Sequence, residues 1–158
     1  MRGKYIPVML WVLCILLATN NYSFQSLLFD REIGINIRLF PNLSDLFIIS
    51  DINLTSKIYL FQKVGHMISF GILYILLVSA IAGKRKAFIM ASLFAFFTEV
   101  LQLFFERSGR FADVLIDIMG IYLACRLSVY IEARGGLNSV FWITVQKIVS
   151  AFVNEKPR

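Results

Sequence analysis

The stretch VGHMISFGILYILLVSAIA, residues 64–82, decides the fold: it is 19 residues long, with His66 its sole ionisable group. At about 1.5 Å rise per residue, such a helix is roughly 28 Å long, close to the ~30 Å hydrocarbon core of a bilayer. Working outward, AFIMASLFAFFTEVLQLFF, residues 87–105, is a second run of 19 residues with Glu99 its one charge. A third run, residues 111–131, is interrupted by Asp113, Asp117 and Arg126. Toward the N-terminus, residues 5–24 have an apolar centre from Val8 to Ala18. Composition agrees: 58% of the 158 residues are hydrophobic, 16% are charged, and the mean hydropathy is +0.73. The expected fold class is all-α, an integral membrane bundle of four transmembrane helices at about 5–24, 64–82, 87–105 and 111–131.

The first segment has the basic start of a signal peptide, Arg2 and Lys4, but Leu17-Ala18-Thr19-Asn20-Asn21 offers a poor cleavage site, so a retained helix is expected. Orientation follows from Lys and Arg near the helix ends. With four crossings, Arg2, Lys4, Lys84, Arg85, Lys86, Arg126, Arg134, Lys147, Lys156 and Arg158 share one side. Arg31, Arg38, Lys57, Lys63, Arg107 and Arg110 share the other, where Asp30, Glu32, Asp45 and Asp51 offset them. Both termini are therefore expected on the cytoplasmic side. The net charge of +6 is then mostly this asymmetry and implies no nucleic-acid partner. Residues 25–62 form a long outer loop with apolar clusters, expected to place short helices over the mouth of the bundle. Residues 138–153 read as an amphipathic helix lying in the cytoplasmic interface, within a C-terminal segment of residues 138–158.

The polar residues inside the spans carry the functional signal, because buried charge is costly in a membrane and tends to mark function. Lys63/His66 and Glu99/Gln102 are spaced i,i+3 and Asp113/Asp117 i,i+4, so each pair lies on one helix face. In the four-span arrangement all six, with Arg107 and Arg110, fall in the extracytoplasmic half. His66 is expected about two residues into its helix, and Glu99 and Asp117 roughly 9 Å below their helix ends. Gly120, at i+7 from Asp113, would let a neighbouring helix approach closely. Bland roles compete with functional ones at every position. Lys63 suits an interfacial anchor, Glu99 helix–helix glue, and Asp113 an acid at a helix N-terminus. Asp117 lies a full turn deeper, where the dipole no longer serves. No Gly-rich phosphate loop or G-x-S-x-G is present, and Cys14 and Cys125 are isolated in apolar segments, against a cysteine-based zinc site or a disulfide.

Three blocks resemble VanZ-like membrane proteins: Lys63-x-x-His66-x-x-x-Phe70, Thr98-Glu99-Val100-Leu101-Gln102-Leu103-Phe104, and Arg107-Ser108-Gly109-Arg110-Phe111-Ala112-Asp113-Val114-Leu115-Ile116-Asp117-Ile118-Met119-Gly120. The resemblance runs from about Tyr22 to Cys125, and its third block is the specific one. The chain departs from the pattern at Ser69, where a glutamate is frequent, at Thr98 and Leu101, where an acid and a histidine are frequent, and at Phe105-Glu106, where relatives carry Pro-Gly. What the resemblance implies is a bacterial cytoplasmic-membrane protein with a link to low-level resistance to teicoplanin-type glycopeptides.

Three functions fit the residues. The first is binding of an anionic membrane lipid or lipid-linked cell-wall precursor, with Lys63, His66, Gln102, Arg107 and Arg110 as ligand-binding residues. The second is an intramembrane enzyme acting on a lipid phosphate, with His66, Glu99, Asp113 and Asp117 as candidate catalytic groups. In a metal-assisted version the same four residues, hard or borderline ligands, would hold a divalent metal such as magnesium, manganese or zinc. The third is a small channel or transporter, which would need oligomers to enclose a pore.

Overall fold

The computed structural model describes residues 2–21, 34, 36–48, 50, 55–81 and 83–133. Four helices carry the fold: α1 (Ile6–Asn20), α2 (Lys57–Ala80), α3 (Lys84–Phe104) and α4 (Phe111–Ala133). A 3₁₀ turn at Arg2–Tyr5 leads into α1, and another spans Leu43–Phe47. Among the described residues there is no strand. All four helices are long and apolar enough to cross a membrane, α1 with the preceding turn. Their outward faces are apolar: Met9, Leu13 and Leu17 on α1, Leu93 and Phe97 on α3, and Leu115, Leu123 and Leu127 on α4 are all more than half exposed. That pattern suits lipid and would be a liability in water.

Several helix ends differ from the apolar runs read in the sequence, for local reasons. Helix α2 opens at Lys57, seven residues before the run at 64, because Ser56 caps it by accepting the Tyr59 N–H at 3.3 Å. His66 therefore lies nine residues past the helix start rather than two. Helix α1 ends at Asn20 rather than near 24. Thr19 Oγ1 donates to the Ile15 carbonyl and Asn20 Nδ2 to that of Leu16, and Asn21 turns to extended backbone. Lys84, Arg85 and Lys86, expected as a turn, form the first turn of α3, where Lys84 pairs with Glu132 near the end of α4.

Packing is tightest between α2 and α4. Lys63 meets Asp113, His66 faces Asp117, and the backbone of Met67 lies against Gly120. These contacts advance together along both helices, so α2 and α4 run parallel. A Cβ on Gly120 would fall on the Met67 carbonyl, and one on Gly71 would lie 3.2 Å from the Gly120 carbonyl oxygen. Two helix backbones approach this closely only where side chains are absent. Helix α3 joins them through Ala87, Ala91 and Ala95, one fully buried face at four-residue steps. Phe70, Leu73, Tyr74, Leu77 and Ile121 complete the core with Ile15 of α1. Trp11 Nε1 donates to the Ser69 carbonyl at 2.9 Å and ties α1 to α2.

Of the long loop, the described part holds one short helix, the 3₁₀ turn at Leu43–Phe47. Leu46 is buried, and Phe47 stacks on Phe111 with ring centroids 6.2 Å apart. The turn lies at the α4 N-terminus. The C-terminal segment 138–158, with the amphipathic helix expected at 138–153, lies outside the described residues.

Candidate functional site

The polar residues gather where α2 and α4 begin and α3 ends. The α3 C-terminus builds the floor. The Arg107 N–H donates to the Gln102 carbonyl at 2.9 Å, with Glu106 between them in the left-handed region at φ 52°. This is a Schellman-type stop, which glycine normally occupies because a Cβ crowds the carbonyl. This chain holds Glu106 there instead. The turn then passes so close to α3 that a Cβ on Gly109 would strike the Glu99 carbonyl oxygen.

The close passage lets the turn hold the Glu99 side chain. The Arg110 backbone N–H donates to Glu99 Oε2 at 3.0 Å, and Gln102 Nε2 donates to Oε1 at 2.7 Å. Glu99 is fully buried, and Gln102 is 3% exposed. His66 Nδ1 points at this carboxylate and at Asp117, 4.0 Å from Glu99 Oε1 and 3.5 Å from Asp117 Oδ1. Asp117 is also fully buried. One ligand atom from each of His66, Glu99 and Asp117 lies within 4.8 Å of the others.

A second tier sits one turn nearer the helix starts. Lys63 Nζ bonds Asp113 Oδ2 at 2.5 Å, with side chains 13% and 6% exposed, and the same ammonium lies 4.8 Å from the Tyr59 ring centre. Arg110 Nη1 donates to the carbonyls of Asp45 and Gly109, which fastens the 3₁₀ turn over this tier. Arg107 is half-buried in the turn. Burial pushes its guanidinium below the ordinary arginine value, while the neighbouring Glu99 carboxylate pulls it back up.

The eight residues singled out in the sequence thus divide by depth. His66, Glu99, Asp117 and Gln102 form the inner cluster. Lys63, Asp113 and the Arg110 side chain form the outer one, and Arg107 stands half-buried in the turn. Asp113 and Asp117 share a face of α4 but not a partner: Asp113 goes to Lys63, and the inner three-residue group excludes it.

Two hollows adjoin these tiers. A cavity of about 110 Å³ lies between α1 and α2, lined by Ile15, Ala18, Thr19, Gln62, Gly65, His66, Ser69 and Phe70. Its walls are mostly apolar, and His66 belongs both to it and to the inner cluster. A cleft of about 20 Å³, room for one water-sized group, is lined by Tyr59, Lys63, Ser108, Arg110 and Asp113 among others. Gln62 and Tyr59 were not singled out in the sequence; Ser69 entered only as a departure from the family pattern and Asp45 only as an offsetting charge. Only the i,i+4 step from Gln62 to His66 and the i,i+3 step from His66 to Ser69 hinted at a shared face.

A family model described as VanZ/LLP1 matches residues 5–131. The uncharacterized membrane protein YwnJ of Bacillus subtilis (strain 168) is 38% identical over 124 residues, 78% of this chain and 89% of that protein. No solved structure matches. A bundle of four apolar helices, the R-S-G-x-x-x-D block packed against Glu99, and a match over most of the chain agree: this is a membrane protein that belongs to the VanZ/LLP1 family.

Proposed function

We propose that the protein binds a phosphate-bearing lipid in the bacterial cytoplasmic membrane, with its termini in the cytoplasm and the polar tiers in the outer half of the bilayer. The observation that carries this reading is the meeting of an apolar cavity with a polar cluster at one side chain, His66. An amphipathic molecule needs that combination: a wall for its tail and donors for its head. Lys63 spends one N–H on Asp113, and an ammonium has three donors. It lines the small cleft together with Arg110, so a phosphate oxygen entering there meets two cations. The carboxylates fix those cations in place. A lipid-linked cell-wall precursor carries this chemistry, and its capture would connect the site to the glycopeptide resistance that the family resemblance implies.

The inner cluster favours a second reading, an enzyme acting on the lipid phosphate. A partly buried histidine between two carboxylates is an arrangement suited to proton transfer or metal-assisted hydrolysis. One experiment separates the readings. Protein purified in detergent is incubated with polyprenyl phosphate, with phosphatidic acid, and with polyprenol and diacylglycerol as the uncharged counterparts; retained lipid and released phosphate are measured. Binding predicts selective retention of the phosphorylated lipids, reduced at least tenfold in Arg110→Ala and Lys63→Ala, without release. Phosphate release lost in His66→Ala would establish the enzyme. Equal retention of charged and uncharged lipids, with no phosphate release, would refute both.

A further inference from the structure

We propose that His66, Glu99 and Asp117 form a binding site for a borderline divalent cation of the zinc or manganese kind. The inference does not rest on the lipid reading. Its first support is geometric. Ligand atoms about 2.1 Å from a tetrahedral ion stand about 3.4 Å apart. His66 Nδ1 and Asp117 Oδ1 are 3.5 Å apart, His66 Nδ1 and Glu99 Oε1 are 4.0 Å apart, and one ligand atom from each of the three lies within 4.8 Å of the others, so side-chain movements of about 1 Å close the set.

The second support is independent of spacing. Asp117 is fully buried, yet among the described residues neither of its carboxylate oxygens accepts a hydrogen bond, and His66 Nδ1 also lacks a partner. Buried polar atoms in folded proteins are nearly always satisfied, and one left without a partner calls for an explanation. Here two such atoms, His66 Nδ1 and Asp117 Oδ1, face each other from two helices at 3.5 Å. The 3.5 Å gap is long for a hydrogen bond but matches two ligands of one ion.

Charge points the same way. Two carboxylates in an apolar surrounding repel each other and lose hydration. Lys63, the cation nearest on α2, is engaged by Asp113. A divalent ion would neutralise Glu99 and Asp117 together. Glu99 is already oriented for this role. Among the described residues each of its oxygens takes one hydrogen bond, from Gln102 and from Arg110, which leaves a lone pair on each for a metal. One imidazole with two carboxylates suits zinc or manganese better than the all-oxygen sites of calcium or magnesium. Three protein ligands leave a coordination position open, and His66 lines the α1/α2 cavity from which a small ligand would reach it.

The test uses full-length protein in detergent with no lipid added. It is stripped with a chelator, dialysed and titrated with zinc chloride or manganese chloride alone. Uptake is followed by elemental analysis and by the thermal unfolding midpoint, and cobalt(II) serves as a spectroscopic probe of coordination. Expected are about one ion per chain, a higher midpoint on metal addition, and cobalt absorption bands of a nitrogen–oxygen site. His66→Ala, Glu99→Gln and Asp117→Asn should each weaken binding at least tenfold, while Glu132→Gln, at the opposite end of α4 and paired with Lys84, should leave it within about twofold. Wild-type protein that takes up no ion, or takes it up equally in all three variants, overturns the proposal. If a variant fails to fold, the wild-type stoichiometry and the Glu132→Gln comparison still decide. Measuring lipid retention on chelated protein keeps this outcome distinct from failure of the lipid reading.

Discussion

Gly120→Ala is the perturbation that most directly tests how the site is held. A Cβ at Gly120 would lie 2.7 Å from the Met67 carbonyl carbon and 3.0 Å from its Cα, besides striking the carbonyl oxygen. Carbon atoms in contact stand about 3.5–4.0 Å apart, so α2 and α4 must part by about 1 Å. The obstacle is helix backbone, which cannot turn aside as a flexible side chain would. Overpacking of this kind costs about 1–3 kcal/mol, against up to about 1 kcal/mol gained from alanine's helix preference. The net loss should be about 1–2 kcal/mol. Gly65→Ala is the control, since nothing lies within 4 Å of a Cβ there. It keeps the helix gain without the clash and should be neutral or stabilising. Unfolding would be followed by SDS titration in mixed micelles, with the fluorescence of Trp11, which bonds Ser69 across α1 and α2, as reporter. Asp117 is three residues from Gly120 and His66 is adjacent to Met67, so the same movement widens the 3.5 Å gap between them. Binding at the inner cluster should weaken together with stability. A Gly120→Ala protein that unfolds at or above the parent's midpoint would refute the close α2–α4 contact and the site geometry that depends on it.

Further outcomes follow from other contacts. Asp113→Ala leaves the Lys63 ammonium partly buried without its anion, and should cost about 3 kcal/mol by the same titration; Lys63→Met in that background should recover much of the loss. Glu106→Gly relieves a left-handed backbone at φ 52° and should raise stability by about 1 kcal/mol; a lower midpoint would contradict the Schellman-type stop. Single cysteines at Asp45 and Ser108 should react with an impermeant thiol reagent applied outside cells, while those at Arg85 and Glu155 should not; labelling at Arg85 would invert the proposed topology. Trp11→Phe keeps the apolar contact but removes the side-chain hydrogen bond to the Ser69 carbonyl, and should weaken α1 docking by about 1 kcal/mol, read as earlier proteolysis of α1.

The sequence by itself determined the number and order of the spans, because crossing a bilayer is a matter of length and hydropathy, both local properties. It also determined that the ionisable residues of α2, α3 and α4 collect at one end, since alternate crossings reverse direction and the helical period puts Lys63 with His66, Glu99 with Gln102, and Asp113 with Asp117. The third block carried the family resemblance for the same reason: a turn with fixed residues leaves a local signature. Helix ends were less legible. A count of apolar residues ends where charge begins, whereas the α2 backbone continues to the Ser56 cap and the α1 backbone stops where Thr19 and Asn20 bond back to it.

Only the tertiary structure decided the pairing. Asp113 and Asp117 are the same residue type on the same face, and nothing in their spacing assigns one to Lys63 and the other to His66. That assignment comes from the register of α2 against α4, which Gly71, Gly120 and the Met67 backbone set by how closely they let the helices meet. The cavity between α1 and α2 likewise depends on how Trp11 docks on the Ser69 carbonyl, 58 residues away in the chain. Rotation and separation of helices are non-local quantities, fixed by the few places where backbones touch. The periodicity of any one segment carries no record of them.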